Sequence, residues 1–233
     1  MSFSDKCRQC SVRVDTGSGV LFQPMTEDYS YVLTAKHNLY SDTNYGSYDQ
    51  PKRIKNIIFG ESQYNILGRF EHNDLDIAIL KISKIDFETP LKYFNKIQRG
   101  DNYAFYGYPQ NLRLEEDKLK CFNLQVVEVL QQEIRVDNLN HYTQNDIAGC
   151  SGGGVFKEDG DNFFLVGVEC RMDAQSRLEE NNTRLRFIYI DAFDEIIEQH
   201  SSELVPLYPP YMNNFKGLDN QSGLFLTNFN IIA

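Results

Sequence analysis

Short runs that are apolar, or that alternate apolar with polar, recur along the chain between turn-forming residues. They are Ser11 to Gln23, Tyr31 to Ala35, Ile54 to Phe59, Asp76 to Ile82, Tyr103 to Gly107, Leu119 to Leu130, Ile134 to Val136, Phe163 to Cys170 and Arg184 to Ile190. A period of two sends alternate side chains to opposite faces of a strand, and many short strands separated by turns predict an all-β sandwich or barrel. The alternation is plainest in the last run, where Leu185, Phe187 and Tyr189 share one face and Arg184, Arg186 and Ile188 the other. One segment has a helical period: Phe193, Ile196 and Ile197 follow Asp191, a residue type that caps helix N-termini, and the helix is expected to end near His200. Thr89 to Gly100, broken by Pro90 and Gly100, is the expected connector between two halves of similar length.

The chain has 233 residues, 41% of them hydrophobic, with 14 Tyr and 16 Phe but no Trp, enough apolar and strand-favouring material for one double-lobed unit. A net charge of -10 argues against a surface that tracks phosphates, so nucleic acid is not an expected partner. No run approaches the roughly 20 apolar residues of a membrane helix. The opening MSFSDKCRQC lacks the apolar core of a secretory leader, and together these features predict a soluble, cytoplasmic protein with no membrane partner. The five cysteines, Cys7, Cys10, Cys121, Cys150 and Cys170, form no regular framework and suit reduced thiols. Cys7 and Cys10 make a CxxC without a second pair at zinc spacing, so neither a metal nor a cofactor is expected. Beyond Ser201 come three prolines and an apolar ending, Leu224 to Ala233, which has no terminal character and suits a piece of a longer polypeptide.

Three segments carry candidate chemistry. Ser151 lies in Gly149-Cys150-Ser151-Gly152-Gly153-Gly154, where glycines permit a tight turn that exposes a hydroxyl and aims backbone N–H groups to one side. The bland alternative is a glycine loop with an incidental serine. His37 ends the apolar run Tyr31 to Ala35, a position from which a rigid strand can hold a base, although a lone histidine there is more often structural. Asp76 opens Asp76-Ile77-Ala78-Ile79-Leu80, and a carboxylate at the edge of an apolar run needs partners. Asp74 and His72, outside that run, are expected at the surface.

In chain order, the segments GSGVLF (residues 17 to 22), LTAKH, DIAIL and GCSGG resemble the chymotrypsin/trypsin-like serine peptidase family, in particular its bacterial intracellular and stress-protease branches. The resemblance covers most of residues 11 to 200. It implies two six-stranded antiparallel β-barrels packed together with a C-terminal helix. The corresponding division is an N-terminal segment 1–10, a first lobe 11–95 with the histidine and aspartate, a second lobe 96–190 with the serine, and a helix and tail 191–233. It implies a serine endopeptidase in which His37 is the general base, Asp76 its orienting carboxylate and Ser151 the nucleophile, with the N–H groups of Gly149 and Ser151 as oxyanion donors. It implies a protein or peptide substrate, and a specificity pocket around Asn145, Asp146, Cys170, Arg171 and Met172. Asp146 or Glu169 could select a basic side chain there, or either could be surface charge.

Departures from the family pattern are also legible. Cys150 stands where the digestive branch has an aspartate that pairs with a freed amino terminus, Gly154 replaces a proline, and Lys36 and Asn38 flank the histidine in place of small residues and cysteine. Activation by amino-terminal cleavage is therefore not expected. Restraint by an activating partner or a fused sensor, in a bacterial defence or stress system, is expected instead. Two other enzymatic readings compete: the nucleophile elbow G-x-S-x-G of α/β-hydrolases, which needs a helix after the serine, and a Cys150 nucleophile. A catalytically silent peptidase fold acting as a binding module is the non-enzymatic alternative.

Overall fold

The computed structural model describes residues 1–40, 56–60, 62–112, 119–139, 144–172 and 184–207. The apolar ending Leu224 to Ala233 lies outside them. Six strands form a closed antiparallel barrel in the order β1-β2-β3-β6-β5-β4: β1 (Ser11–Val14), β2 (Gly17–Phe22), β3 (Tyr29–Thr34), β4 (Asn56–Phe59), β5 (Ser62–Glu71) and β6 (Ala78–Ser83). The short β7 (Leu91–Lys92) then crosses to pair in parallel with a strand of the second sheet. That sheet comprises β8 (Asn102–Gly107), β9 (Lys120–Val129), β10 (Glu133–Asn138), β11 (Gly154–Asp159), β12 (Asn162–Met172) and β13 (Arg184–Tyr189). It runs β11-β8-β9-β10-β13-β12-β7, and the β11–β12 pairing closes its first six strands into a second barrel. The expected pair of six-stranded antiparallel barrels with a C-terminal helix is therefore what the chain forms.

Two apolar clusters fill the barrels. Phe105, Phe122, Leu124, Val136, Val155, Leu185 and Phe187 pack inside the second barrel, as the period of two on β13 requires. Ile188, on the opposite face of β13, is 1% exposed and belongs to the other cluster, with Leu33, Ile79, Phe156 and Phe193. That strand is thus buried on both faces at Ile188, where the expected alternation predicts solvent.

Helices occupy the ends of the described chain. Ser2 and Asp5 form a capping box around the start of α1 (Phe3–Cys10), each satisfying the other's backbone N–H, and Cys7 and Cys10 on its inner face are fully buried. The sequence pattern missed this helix because eight mostly polar residues carry little periodicity; the Ser-x-x-Asp box was its one local signal. Burial pushes both thiols up, far from the range of reactive thiolates. All five cysteines are free. A further short helix, α2 (Gln144–Ile147), precedes the serine loop, and α3 (Ala192–Gln199) buries Phe193, Ile196 and Ile197 in the first cluster.

Asp191 precedes α3 as expected, but its side chain caps nothing. Its carboxylate instead meets Lys92 of β7 at 2.7 Å, as does that of Asp194. Lys92 is 3% exposed, and burial lowers its pKa against the pull of the two carboxylates. Lys92→Met is expected to cost about 3 kcal/mol, the lower end for breaking a buried pair because the carboxylates remain partly hydrated, read as a lower urea midpoint.

Candidate active site

β3 ends at Thr34 and a single 3-10 turn, Lys36–Leu39, turns the chain so that His37 stands on the rim of the first barrel with 26% of its side chain exposed. The loop between β5 and β6 brings Asp76 against it. One carboxylate oxygen of Asp76 accepts the His37 backbone N–H at 2.9 Å and the other meets Nδ1 at 2.8 Å. An ionised carboxylate only accepts hydrogen bonds, so Nδ1 carries the ring proton and Nε2 is left with its lone pair.

The loop that carries Asp76 is built on residues expected to do little. His72 was expected at the surface, but it is 3% exposed: its Nδ1 accepts the N–H groups of Asp74 and Leu75, and its Nε2 lies 2.9 Å from Glu195 of α3. A ring that satisfies two loop amides is a structural element, and no neighbour of His72 in sequence signals the packing of α3 over it. Asp74 is exposed, as expected. Lys36 is buried and donates to the His72 carbonyl at 2.9 Å, while its backbone N–H donates to the Asp76 carbonyl, so the turn that carries His37 and the loop that carries Asp76 are tied twice.

Ser151 occupies a turn gripped by both barrels. Its carbonyl accepts the Ser18 backbone N–H at 2.8 Å and the side-chain amide of Asn38 at 2.7 Å. Because Asn38 is adjacent to His37, these bonds seat the serine loop beside the histidine turn. The Ser18 hydroxyl donates to the Gly149 carbonyl at 2.9 Å and accepts the Tyr108 N–H. From β12, the Glu169 carbonyl accepts the Gly152 N–H at 2.7 Å, and the Glu169 N–H donates to Gly153. Gly149 and Gly152 both adopt positive φ, near 90°, which their lack of a Cβ permits. Among the described residues, the N–H groups of Gly149 and Ser151 donate to no protein acceptor.

Ser18 and Asn38 were missed as site residues, although Ser18 stands inside GSGVLF and Asn38 is one of the departures flanking His37. Glu169 was read as either a pocket charge or a surface charge, and it is 1% exposed. Its carboxyl lies beside the Ser151 hydroxyl, and burial first, then the nearby negative charge of Asp76, pushes its pKa up to about 8.

The remaining pocket residues are scattered. Asp146 on α2 lies 3.9 Å from Lys120, and Arg171 on β12 pairs with Glu133 at 3.1 Å. Cys170 is 1% exposed, with its Sγ turned to the Val168 carbonyl. The side chains of Asn145 and Met172 lie outside the described residues. Cys150 is fully buried in the second barrel's cluster and burial raises its thiol pKa well above normal, so a thiolate nucleophile at this position is not supported. The serine turn leads into β11 rather than into a helix, which removes the α/β-hydrolase reading.

Two closed barrels, the serine loop of the second seated against the histidine and aspartate of the first, define a double-barrel scaffold. The chain belongs to the trypsin-like peptidase family: the model of the trypsin-like peptidase domain matches residues 17–168. Among solved structures it is similar to kallikrein-related peptidase 10 in complex with Zn2+ (TM-score 0.57, 15% identity, 87% of this chain and 100% of that one). It is also similar to the inactive form of a serine-to-alanine mutant of Rv3671c from M. tuberculosis (TM-score 0.57, 12% identity, 87% and 91%). No curated protein matches the chain in sequence. At these identities the structural likenesses establish the fold.

Proposed function

We propose that the protein is a serine endopeptidase that cleaves protein or peptide substrates through an acyl-enzyme, with Ser151 as nucleophile, His37 as general base and Asp76 as the group that orients it. The observation that carries this reading is the double acceptance by Asp76 of the His37 backbone N–H and ring Nδ1, because that arrangement presents Nε2 as the basic atom. In the reaction, Ser151 Oγ attacks the scissile carbonyl as its proton passes to His37 Nε2, and the negative charge that develops on the carbonyl oxygen meets the N–H groups of Gly149 and Ser151. Collapse expels the amine, which takes the proton from His37. Water then repeats the sequence on the acyl-enzyme and frees the acid. Losing one such N–H donor typically costs about 10² to 10³ in rate.

Asn145, Asp146, Cys170, Arg171 and Met172, placed on α2 and β12, are the proposed walls of the specificity pocket. Restraint of the site by an activating partner or a fused sensor, in the cytoplasm and within a bacterial defence or stress system, completes the reading. Its support is Cys150: a buried neutral thiol offers an amino terminus no countercharge.

The test is covalent labelling by a fluorophosphonate, which reports an activated serine without requiring a known substrate. Ser151 of the folded protein is expected to be the labelled residue, as located by peptide mass mapping, with labelling lost in S151A. A folded protein that resists the probe, alone and with cell extract added, would overturn the enzymatic reading and favour the silent binding module.

A further inference from the structure

We propose that Glu169 is a positioning residue of this site: its buried carboxyl competes with His37 for the Ser151 hydroxyl, and its protonation state decides which of the two holds it. This rests on the peptidase reading and concerns how the same site is regulated.

The geometry begins with the backbone. Two hydrogen bonds between Glu169 and the serine loop, Gly152 N–H to the Glu169 carbonyl at 2.7 Å and Glu169 N–H to the Gly153 carbonyl at 2.9 Å, lock this residue of β12 against the turn that carries the nucleophile. Its side chain is 1% exposed. Its carboxyl lies beside the Ser151 hydroxyl without a hydrogen bond to it, and its Oε2 is buried with no hydrogen-bond partner among the described residues. Across the site the Ser151 hydroxyl makes no hydrogen bond to His37 among the described residues.

The charged and titratable groups that face Glu169 come from three elements. Asp76 lies on the loop before β6, Cys150 on the serine turn and Cys170 next along β12. Both thiols are held neutral by burial, and the nearest cations, Lys120 and Arg171, act on Cys150 and Cys170 respectively. No cation contributes to Glu169 itself, which shares its enclosure with the carboxylate of Asp76. A buried carboxyl with a negative charge near it and no cation acting on it favours its neutral form.

The consequence for Ser151 follows from donor and acceptor roles. An ionised Glu169 only accepts, so it takes the Ser151 O–H as donor and withholds that proton from His37 Nε2. A protonated Glu169 brings its own O–H, can donate to Ser151 Oγ or to Asp76, and leaves the serine proton to point at His37. A site of this kind is competent while Glu169 is neutral and loses competence as Glu169 ionises.

The experiment compares the pH dependence of the fluorophosphonate labelling rate in the wild type and E169Q, together with the titration of the His37 ring carbons by NMR. The wild-type rate is expected to rise as His37 loses its proton and then to fall above pH of about 8, approaching tenfold per pH unit, while E169Q keeps the rise and loses the fall. Superimposable profiles for the two proteins overturn the proposal. Absence of labelling in both at every pH defeats the peptidase reading separately, and the His37 resonances then decide on Glu169. A second inflection near pH 8 that E169Q removes supports the role, and a single step shared by both proteins refutes it. Should E169Q not fold, the presence or absence of that second inflection in the wild type settles the question.

Discussion

Replacing Ser151 by alanine is expected to lower kcat for peptide hydrolysis by about 10⁶-fold, and His37→Ala by a similar factor, with the double variant no worse than either single one. The non-additivity is the informative part. An oxygen without a base and a base without its oxygen are equally idle, so the second removal takes nothing more away. What remains in all three variants is set by the N–H groups of Gly149 and Ser151 and by substrate binding, which alanine at either position leaves in place. KM is expected to move little, since neither side chain is needed to hold a ground-state peptide. Steady-state kinetics on a substrate from peptide-library profiling provide the measurement. Losses that multiply, or a single variant that keeps a tenth of the activity, would mean that the two residues do not act as one unit.

The second large effect is expected on the fold. Gly152→Ala would place a Cβ against the Ser18 carbonyl and the Thr34 hydroxyl and 2.7 Å from the Asn38 side-chain amide, at a backbone φ of +90°. All three groups belong to the first barrel, and Gly152 belongs to the second. The clash therefore falls on the clasp between barrels, where the Ser18 carbonyl is backbone and cannot swing away. Overpacking and backbone strain together are expected to cost about 3 to 5 kcal/mol, visible as a lower denaturant midpoint. Gly160→Ala is the matched control: φ is also positive, at +60°, but a Cβ there meets nothing within 4 Å, so the cost should stay near 1 to 2 kcal/mol. Equal losses at the two positions would show that the clasp adds nothing beyond strain.

How far the sequence can be read differs from element to element. β2, β3, β8, β9, β12 and β13 announce themselves through apolar or alternating residues, because each has a barrel interior on one side. β5 does not. Its residues Ser62–Glu71 are mostly half-buried or exposed, and it is held by pairing with β4 and β6 across a bulge near Gly68, a cause that lies in other parts of the chain. β11 was hidden by the polar end of its hairpin, Lys157 to Asp159, which projects beyond the core.

The site divides along the same line. His37, Asp76 and Ser151 could be singled out from local motifs because nucleophile, base and carboxylate must each stand at the end of a rigid element, and such ends have sequence signatures. The surroundings of a charge have none. His72 and Glu169 look like surface residues among their neighbours, yet each is buried by an element distant in sequence: α3 across His72, the serine turn and the Asp76 loop around Glu169. Ser18 and Asn38 likewise acquire their roles only when the first barrel meets the second.

By itself, then, the amino-acid sequence determined the strand-rich pattern, the helix after Asp191 and the identity of the three candidate reacting side chains, since periodicity and motif spacing are local properties. Tertiary structure alone decided which polar groups lose their water. Desolvation depends on what packs across a residue rather than beside it, and for Glu169 that difference turns an unremarkable carboxylate into a buried group with a raised pKa beside Ser151.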